Sequence, residues 1–353
     1  MSKISLICPV YNVSQYLAEA IGSVLCQEVS DWELIAVNDA STDNSLEILQ
    51  AYQKRDKRIR IIDLKQNKGQ GFARNLAIGK AKGDYIMFLD ADDYFPKDAF
   101  TTLVDNIATK PKTEIFVWGF SSFQTGKKPK KEHLPQKPNK KRGETPFQLG
   151  MLCRKGFGAT PWVYVVKRKC IEQYNIRFSE GIFFEDVEFT TKLLYHTKKV
   201  GVIPKVCYHY RNHKTSVTGR PSSKKIKQKF EAFDKIKPFL LEKKTWHRYE
   251  VIHNTRYLAY CVFTCFNEYF SLSRKERDAE LDAFMLSLRK GELLSKKNLT
   301  LLRDIGLSLS KKKEPFSRKF YLAAYMGLTR IKKRYGLHRL IVRTVIQFHR
   351  LRN

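Results

Sequence analysis

Short apolar runs alternate with amphipathic stretches along the first part of the chain. Four apolar runs have the length of buried strands, and they are Ile4–Cys8, Glu33–Val37, Ile59–Leu64 and Asp84–Leu89. Stretches with the apolar spacing of helices follow them, and these are Val13–Cys26 with Ser14 as its cap, Ser45–Tyr52, Gly71–Ala81 and Pro96–Ile107. Pro9 is expected to stop the first strand. Strand and helix alternate through short connections, which predicts an α/β fold with a mostly parallel, doubly wound sheet.

The pattern is less regular over the next hundred residues. We expect strands at Glu114–Phe123, Thr160–Val166, Val200–Ile203 and Val206–Tyr210, and a helix from Phe183 to about His196. The basic segment Gly126–Arg142 carries eight Lys or Arg residues and one acid and is broken by three prolines. It predicts a mobile loop or a long hairpin tip, either solvated or touching an anionic acceptor.

From Lys224 onward the strand–helix alternation is lost. Helical patterns are found at 225–243, 246–271, 274–290, 298–309, 317–334 and 337–351. The sequence therefore predicts an α/β domain over residues 1–223 and a helical module over 224–353, with the boundary at 220–225.

The fourth strand ends in a cluster of carboxylates, Asp90-Ala91-Asp92-Asp93. Side chains alternate along extended chain, so Asp90 and Asp92 can point the same way while Asp93 points elsewhere. Two carboxylates on one side suit a hard divalent cation such as Mg2+ or Mn2+. The alternative is a capped turn, in which Asp is common.

The net charge of +31 is unevenly distributed. Residues 1–100 hold 12 basic and 14 acidic side chains, residues 101–223 hold 23 and 9, and residues 224–353 hold 31 and 12. The basic charge of the later regions therefore predicts a polyanionic partner, such as nucleic acid, anionic lipid or an acidic glycan. The alternative is a solvated surface that binds no specific partner. The last helix, 337–351, is basic and amphipathic, and it either lies on an anionic membrane or packs on the protein.

Seven scattered cysteines, no C-x-x-C pair and no apolar run of about 20 residues predict a cytoplasmic protein with reduced thiols. The N-terminus lacks the pattern of a secretory signal peptide.

The order of the polar loops is more specific than any one of them. Pro9-Val10-Tyr11-Asn12, Asn38-Asp39-Ala40-Ser41-Thr42-Asp43, Asn67-Lys68-Gly69 with Ala73-Arg74-Asn75, and Asp90-Ala91-Asp92 follow one another after successive strands. This order resembles the family 2 glycosyltransferases with the GT-A fold, over about residues 3–215. The resemblance implies a nucleotide-sugar donor, a nucleotide-binding half over 1–110 and an acceptor-binding half over 111–223.

Three donor-side residues also have a physical interpretation of their own. Tyr11 offers a ring for stacking on a base, Asp39 an acceptor for the imino hydrogen of uracil, and Arg74 a donor fork for base or phosphate. The alternatives are core packing for Tyr11 and a helix cap near Ser45 for Asp39. The resemblance implies donor contacts at Pro9, Tyr11, Asp39, Asn67, Arg74, Asp90, Ala91, Arg211 and Ser216.

The resemblance also implies that Asp90 and Asp92 hold Mn2+ or Mg2+ against the donor diphosphate. His209 or His213 would complete the metal site, and their spacing does not choose between them; a surface histidine is the alternative for each. Asp93 matches a third acid that is often found at this place in the family.

Glu185 and Asp186 form a second acidic pair at the start of a predicted helix, where the helix dipole favours the ionised form. A sugar hydroxyl needs a base to accept its proton as it attacks. By resemblance, Asp186 is the base and Glu185 contacts the acceptor; ordinary acids at a helix N-terminus are the alternative. One base and no obvious nucleophile on the other face imply inversion at the anomeric carbon. Trp162 either shapes the acceptor pocket or packs in the core.

The sequence thus predicts a cytoplasmic, metal-dependent, inverting glycosyltransferase that uses a UDP-sugar and a glycan or lipid-linked acceptor. The predicted setting is bacterial surface polysaccharide or lipo-oligosaccharide synthesis, peripheral on the inner face of the cell membrane, with no nucleic-acid partner. Two alternatives remain, a non-catalytic relative that acts as a scaffold and a basic nucleic-acid-binding protein.

Overall fold

The computed structural model describes residues 3–129, 131–139, 145–151, 157–213, 221–257, 263–273 and 276. The chain divides into two units, Met1–Arg220 and Pro221–Asn353. The strands are β1 Ile4–Val10, β2 Trp32–Asn38, β3 Ile59–Asp63, β4 Tyr85–Phe88, β5 Ile115–Gln124, β6 Lys131–His133, β7 Tyr164–Lys167 and β8 Val200–Asn212. The helices are α1 Ser14–Leu25, α2 Ser45–Arg55, α3 Gln70–Lys80, α4 Ala99–Thr109, α5 Pro146–Met151, α6 Arg168–Gln173, α7 Asp186–His196, α8 Ser223–Asp234, α9 Ile236–Glu242, α10 Trp246–Arg256 and α11 Phe263–Ser271.

The first unit is built on one mixed sheet of eight strands. β3, β2, β1 and β4 lie side by side in that order and are parallel, and β5 pairs with β8 in parallel as well. β7 joins the two groups by antiparallel pairing with β4 and β5, and β6 pairs antiparallel with β5. Every residue of β1 and β2 is buried, as expected of strands covered on both faces. The predicted α/β fold with a mostly parallel sheet is therefore confirmed.

The carboxyl ends of β1, β2 and β4 meet at one edge of the sheet, because these strands are parallel neighbours. β7 runs antiparallel to β4, so its N-terminal end lies at the same edge. That edge therefore receives the polar loops that follow the parallel strands and the residues that precede β7.

The prediction that Pro9 stops the first strand is wrong. β1 continues through Pro9 to Val10, in register with Val37 and Asn38 of β2. The prediction that Ser14 caps α1 is also wrong. The backbone N–H groups of Val13 and Ser14 donate instead to Ser45 Oγ at 3.2 Å and Asp43 Oδ2 at 2.9 Å, at the start of α2.

Two further strand predictions need correction. The predicted strands Val200–Ile203 and Val206–Tyr210 are one strand, β8, with an irregularity where Ile203 pairs with Trp118 and Val206 with Gly119. Pro204 has no N–H to donate, so it is accommodated in that bulge. The predicted strand Thr160–Val166 begins instead as a 3₁₀ turn, Pro161–Val163, because the proline fixes the first turn, and only then continues as β7.

The described part of the second unit is helical, as predicted. The predicted helix 225–243 is divided into α8 and α9 because Pro238, in the first turn of α9, has no N–H to continue a helix through that point. The predicted helix 246–271 is found as α10 and α11. The predicted helices 274–290, 298–309, 317–334 and 337–351 lie outside the described residues, apart from Glu276. Within the described ranges, no helix is both long and apolar enough to cross a bilayer.

Candidate active site

The loop after β4 presents two carboxylates and buries a third. The Asp90 and Asp92 side chains are 19% and 24% exposed, whereas Asp93 is 1% exposed. This agrees with the expected alternation of side-chain direction. Asp90 Oδ2 and Asp92 Oδ1 accept no hydrogen bond from any residue that the structure describes, so two hard oxygen atoms remain available at the edge of the sheet.

Strand β8 holds this loop from the side. The Tyr208 hydroxyl accepts from the Asp90 backbone N–H at 3.1 Å and donates to Asp93 Oδ2 at 2.8 Å. Arg211 donates its backbone N–H to Asp93 Oδ1 at 2.7 Å and its Nε to the Asp92 carbonyl at 2.7 Å. Burial raises the pKa of the Asp93 carboxyl, as do the neighbouring charges of Asp92 and Asp90.

Arg211 was predicted to contact the donor. Its guanidinium pairs with Glu19 and lies over the rings of Tyr16 and Phe123, at 4.8 and 4.7 Å from their centroids. The side chain is 5% exposed. These contacts show that Arg211 holds the acidic loop in place. Contact of Arg211 with the nucleotide-sugar donor stays a prediction. Ser216 lies outside the described residues.

The two candidate histidines have different surroundings. His213 Nε2 lies 2.8 Å from Asp92 Oδ2, and its ring is tilted against Tyr16 at 4.7 Å. His209 Nδ1 lies 2.6 Å from Ser121 Oγ on β5, and burial lowers the pKa of His209. His213 is therefore the histidine in contact with the predicted metal ligands.

Arg74 links the acidic loop to the second acidic pair. This side chain on α3 is 2% exposed, and its guanidinium donates to Asp90 Oδ1 at 2.8 Å and, through the other terminal nitrogen, to Glu185. Burial lowers the pKa of Arg74, but the charges of Asp90 and Glu185 outweigh it and the pKa is raised overall. The pKa of Asp90 is raised, because burial outweighs the attraction of Arg74.

This ion-pair network changes the interpretation of two predicted residues. Arg74 was expected to face base or phosphate, and Glu185 to face the acceptor. Both are buried and their charged ends meet each other. Gln70, in the first turn of α3, lies in the same network, 3.4 Å from Asp90 Oδ1. Direct contact of Arg74 or Glu185 with a substrate stays a prediction.

Asp186 is the first residue of α7 and is half-buried, directly after the buried Glu185. Its carboxylate is close enough to contribute to the raised pKa of Arg74. Phe184, just before the pair, has φ of 64°, in the left-handed region that costs a non-glycine residue about 1–2 kcal/mol. Such strain is typical of functional sites, and here it precedes the predicted base.

The remaining donor-side residues lie in the loops after β1 and β2. Tyr11 is 48% exposed, which contradicts core packing for its ring. Asp39 is buried, and its two carboxylate oxygens accept from the backbone N–H groups of Lys68 at 2.7 Å and Gly69 at 2.8 Å. The alternative role of Asp39 as a cap near Ser45 is therefore wrong, because Asp43 accepts from the Ser45 N–H instead. Asn67 donates to the Asp39 carbonyl, while Pro9 is buried within β1 and Ala91 within the acidic loop.

Trp162 is 4% exposed and stacks on Tyr208 at 4.6 Å between ring centroids, nearly parallel. It also contacts Phe120 edge-on at 4.8 Å. The structure therefore favours the core-packing alternative, in which Trp162 supports the ring of Tyr208. Its acceptor contact stays a prediction.

The side chains around Asp90 and Asp92 offer a divalent cation an incomplete ligand set. In the described ranges, no three His, Cys, Asp or Glu side chains are grouped to hold a metal ion. Mg2+ is commonly bound by one or two carboxylates together with substrate phosphates and water, and the available oxygens of Asp90 and Asp92 fit that pattern. Metal binding stays a prediction that requires the diphosphate to complete the ligand set.

The sequence assigned no role to Tyr208, Gly71 or Asn75, and the structure shows that each of them supports residues of the site. No local signal identifies Tyr208, because its partner Asp93 is 115 residues away. Arg74 and Asn75 follow Gly71 by three and four residues, and that spacing was the available signal for a shared face of α3.

The fold has a counterpart among solved structures. The crystal structure of S. aureus TarS 1–349 in complex with UDP-GlcNAc matches with a TM-score of 0.60 at 18% sequence identity. The match covers 95% of this chain and 92% of that chain. The fold is therefore a GT-A fold, as the sequence predicted.

Residues 5–172 match the sequence model of Glycosyl transferase family 2. The uncharacterized glycosyltransferase EpsJ of Bacillus subtilis strain 168 is 34% identical over 223 residues, which are 62% of this chain and 63% of EpsJ. TuaG of the same organism, named as a teichuronic acid biosynthesis glycosyltransferase, is 45% identical over 95 residues, which are 27% of this chain and 38% of TuaG. The chain thus spans less than two thirds of each relative. Residues 5–172 are similar to glycosyl transferase family 2.

Proposed function

We propose that the protein transfers a sugar from a nucleotide-sugar donor, a UDP-sugar, to a hydroxyl group of a glycan acceptor. The observation that carries this proposal is the Arg74 bridge, which brings the acidic loop after β4 and the acid pair before α7 to one edge of the sheet. In a sugar transfer, the residues that bind the donor diphosphate and the base that deprotonates the acceptor lie beside the same reacting carbon, so they have to be neighbours. The UDP-GlcNAc complex of TarS supports the choice of nucleotide.

In the proposed reaction Asp186 accepts the proton of the acceptor hydroxyl, and the freed oxygen attacks the anomeric carbon. The new glycosidic bond forms as the bond to the diphosphate oxygen breaks, and the nucleoside diphosphate leaves with that electron pair. With one base and no second nucleophile assigned, the single displacement inverts the anomeric carbon. Asp90 and Asp92 would hold Mn2+ or Mg2+, which supplies neutralisation of the charge on the leaving diphosphate. His213, in contact with Asp92, would orient that carboxylate, and donor phosphates and water would complete the ligand set.

The test is a panel of nucleotide sugars with Mn2+, scored by release of nucleoside diphosphate in the presence of glycan acceptors. We expect Asp186→Asn to lower kcat by about 10²–10⁴-fold without loss of UDP binding, since a positioned base contributes that much. Asp92→Asn is expected to weaken Mn2+-dependent donor binding. Asp105→Asn, on the exposed surface of α4, is the matched control. Unchanged transfer by Asp186→Asn would remove the assignment of Asp186 as the base. The scaffold alternative is favoured if the wild-type protein releases no nucleoside diphosphate from any donor.

A lipid-linked or acidic acceptor in bacterial surface-glycan synthesis is proposed from charge and from the relatives' names. Residues 224–353 hold 31 basic side chains against 12 acidic ones, which suits an anionic membrane surface. Sedimentation with anionic liposomes at low salt tests the membrane part, and failure to bind them would remove it. A basic nucleic-acid-binding protein would instead show salt-steep binding to RNA or DNA. Binding to a polyanion gives no reason for the partly exposed carboxylates of Asp90 and Asp92.

A further inference from the structure

One face of α3 contacts the segment that leads into the acid pair. Arg74 and Asn75 follow Gly71 by three and four residues, so both lie on the side of the helix that Gly71 faces. Each of the three residues contacts the segment 178–185. The contacts differ in kind, since they are a close backbone approach, an ion pair and a set of hydrogen bonds.

Gly71 permits the close approach. A Cβ atom at this position would lie 2.1 Å from the Ser179 carbonyl oxygen and 3.2 Å from Glu185 Cγ. Because Cβ contacts under 3.0 Å are essentially never found, an alanine here would move the segment by about 1 Å. Gly79, in the same helix, has no atom within 4 Å of the corresponding position.

Asn75 fixes the register of the same segment. Its Nδ2 donates to the Phe178 carbonyl at 2.9 Å and to Glu180 at 2.8 Å, and its Oδ1 accepts from the Phe178 N–H at 2.9 Å. Side-chain amides that satisfy both backbone groups of one residue hold that residue in a single position along the helix.

The segment is in turn attached to α7. Ser179 donates from its hydroxyl to Glu188 in the first turn of that helix, and the ring of Phe178 stacks on Phe189 at 3.8 Å between centroids. A shift of residues 178 and 179 is therefore transmitted to the start of α7, where Glu185 and Asp186 lie.

We infer that this face of α3 positions the catalytic acid pair relative to the donor-side carboxylate Asp90. Gly71 and Asn75 are positioning residues that act through the segment 178–180, and Arg74 joins the two acids directly. The inference rests on the proposed function, because it specifies how that same site is held in its reactive geometry.

The test compares Gly71→Ala with Gly79→Ala, which is the same substitution in the same helix. Alanine raises helix propensity at both positions, so a loss seen only at Gly71 comes from the contact with Ser179. We expect Gly71→Ala to lower kcat for sugar transfer by about 10- to 100-fold, since displacements of about 1 Å have such effects. The KM for the donor and the affinity for UDP are expected to stay near those of the wild type.

Asn75→Ala is the second variant, and it remains informative if Gly71→Ala does not fold. Its control is Asn106→Ala on α4, where the side chain donates to the Thr102 carbonyl and accepts from Lys110, the residue after that helix. We expect Asn75→Ala to lower kcat in the same way, and the double variant to lose less than the two single losses combined, because both act on one segment.

Amide hydrogen exchange of residues 178–190 gives a readout that needs no activity. We expect faster exchange of these amides in Gly71→Ala and Asn75→Ala, and unchanged exchange in the two controls. Unchanged exchange and unchanged kcat in both variants, or an equal loss of UDP binding and kcat, would overturn the inference. If the wild-type protein transfers no sugar from any donor, the proposed function fails, and the exchange measurement alone decides whether this face holds the segment.

Discussion

The hydroxyl group of Tyr208 donates a hydrogen bond to Asp93 over 2.8 Å, and both groups are buried. The same oxygen accepts from the Asp90 N–H, so one phenol on β8 holds both ends of the acidic loop. Burial raises the pKa of Tyr208, and the charges of Asp93 and Asp90 raise it further, so the hydroxyl keeps its proton and remains a donor.

Tyr208→Phe is expected to destabilise the protein by about 1–3 kcal/mol, because it leaves the Asp90 N–H and the buried Asp93 Oδ2 each without a partner. The ring that stacks on Trp162 is retained, so the loss comes from the hydroxyl alone. Weaker Mn2+-dependent donor binding should accompany it. Urea unfolding and donor titration measure the two effects.

Tyr52→Phe is the control for this change, because the Tyr52 hydroxyl donates to the Ala18 carbonyl at an exposed site. Equal free energies of unfolding for the two variants would contradict the role given to Tyr208.

Arg74→Met is expected to cost about 3–5 kcal/mol of folding stability, because Asp90 and Glu185 lose the cation that neutralises them in a buried site. Adding Glu185→Gln should restore part of this loss, since it removes one of the two unpaired charges. Denaturant unfolding of the single and double variants measures the recovery.

Lys65→Met is the control. It removes an ion pair with Asp63 at a side chain that is 90% exposed, and it is expected to cost about 0–1 kcal/mol of folding stability. A double variant less stable than Arg74→Met alone would show that Glu185 is held mainly by other partners than Arg74.

His253 gives a pH dependence in the second unit. Burial, together with Arg256 and Lys237, lowers its pKa from 6.5 to about 4, although Asn254 and the Phe233 carbonyl act in the opposite direction. Between pH 6.5 and 4 the unfolded chain binds a proton that the folded chain does not, so stability falls as the pH is lowered through this window. The effect amounts to roughly 3 kcal/mol.

His253→Phe keeps a ring against Trp246 and Tyr257 and removes the titration. We expect the variant to lose less stability than the wild type between pH 7 and pH 4, as measured by denaturant unfolding at a series of pH values. His247→Phe, at an exposed position of the same helix, is the control. Identical pH profiles for His253→Phe and the wild type would refute the prediction.

Much of the first unit follows from sequence because its information is local. Apolar runs such as Ile4–Cys8 and Glu33–Val37 are continuous, since parallel strands are buried on both faces, and they are therefore recognisable without tertiary contacts. The residues at which strands end were harder to predict. Pro9 lies inside β1, and Pro204 lies in a bulge of β8, because pairing partners decide whether a proline is tolerated.

The sequence by itself determined the fold class and the gathering of Tyr11, Asp39 and Asp90 at one edge, because parallel strands bring their carboxyl ends together. Only the tertiary structure decided which charges meet. Arg74 and Glu185 are 111 residues apart, and Arg211 and Glu19 are 192 apart, and nothing in their local sequence selects these partners. A buried charge takes the counter-charge that packing brings to it, so pairing is a property of the folded chain and not of any segment.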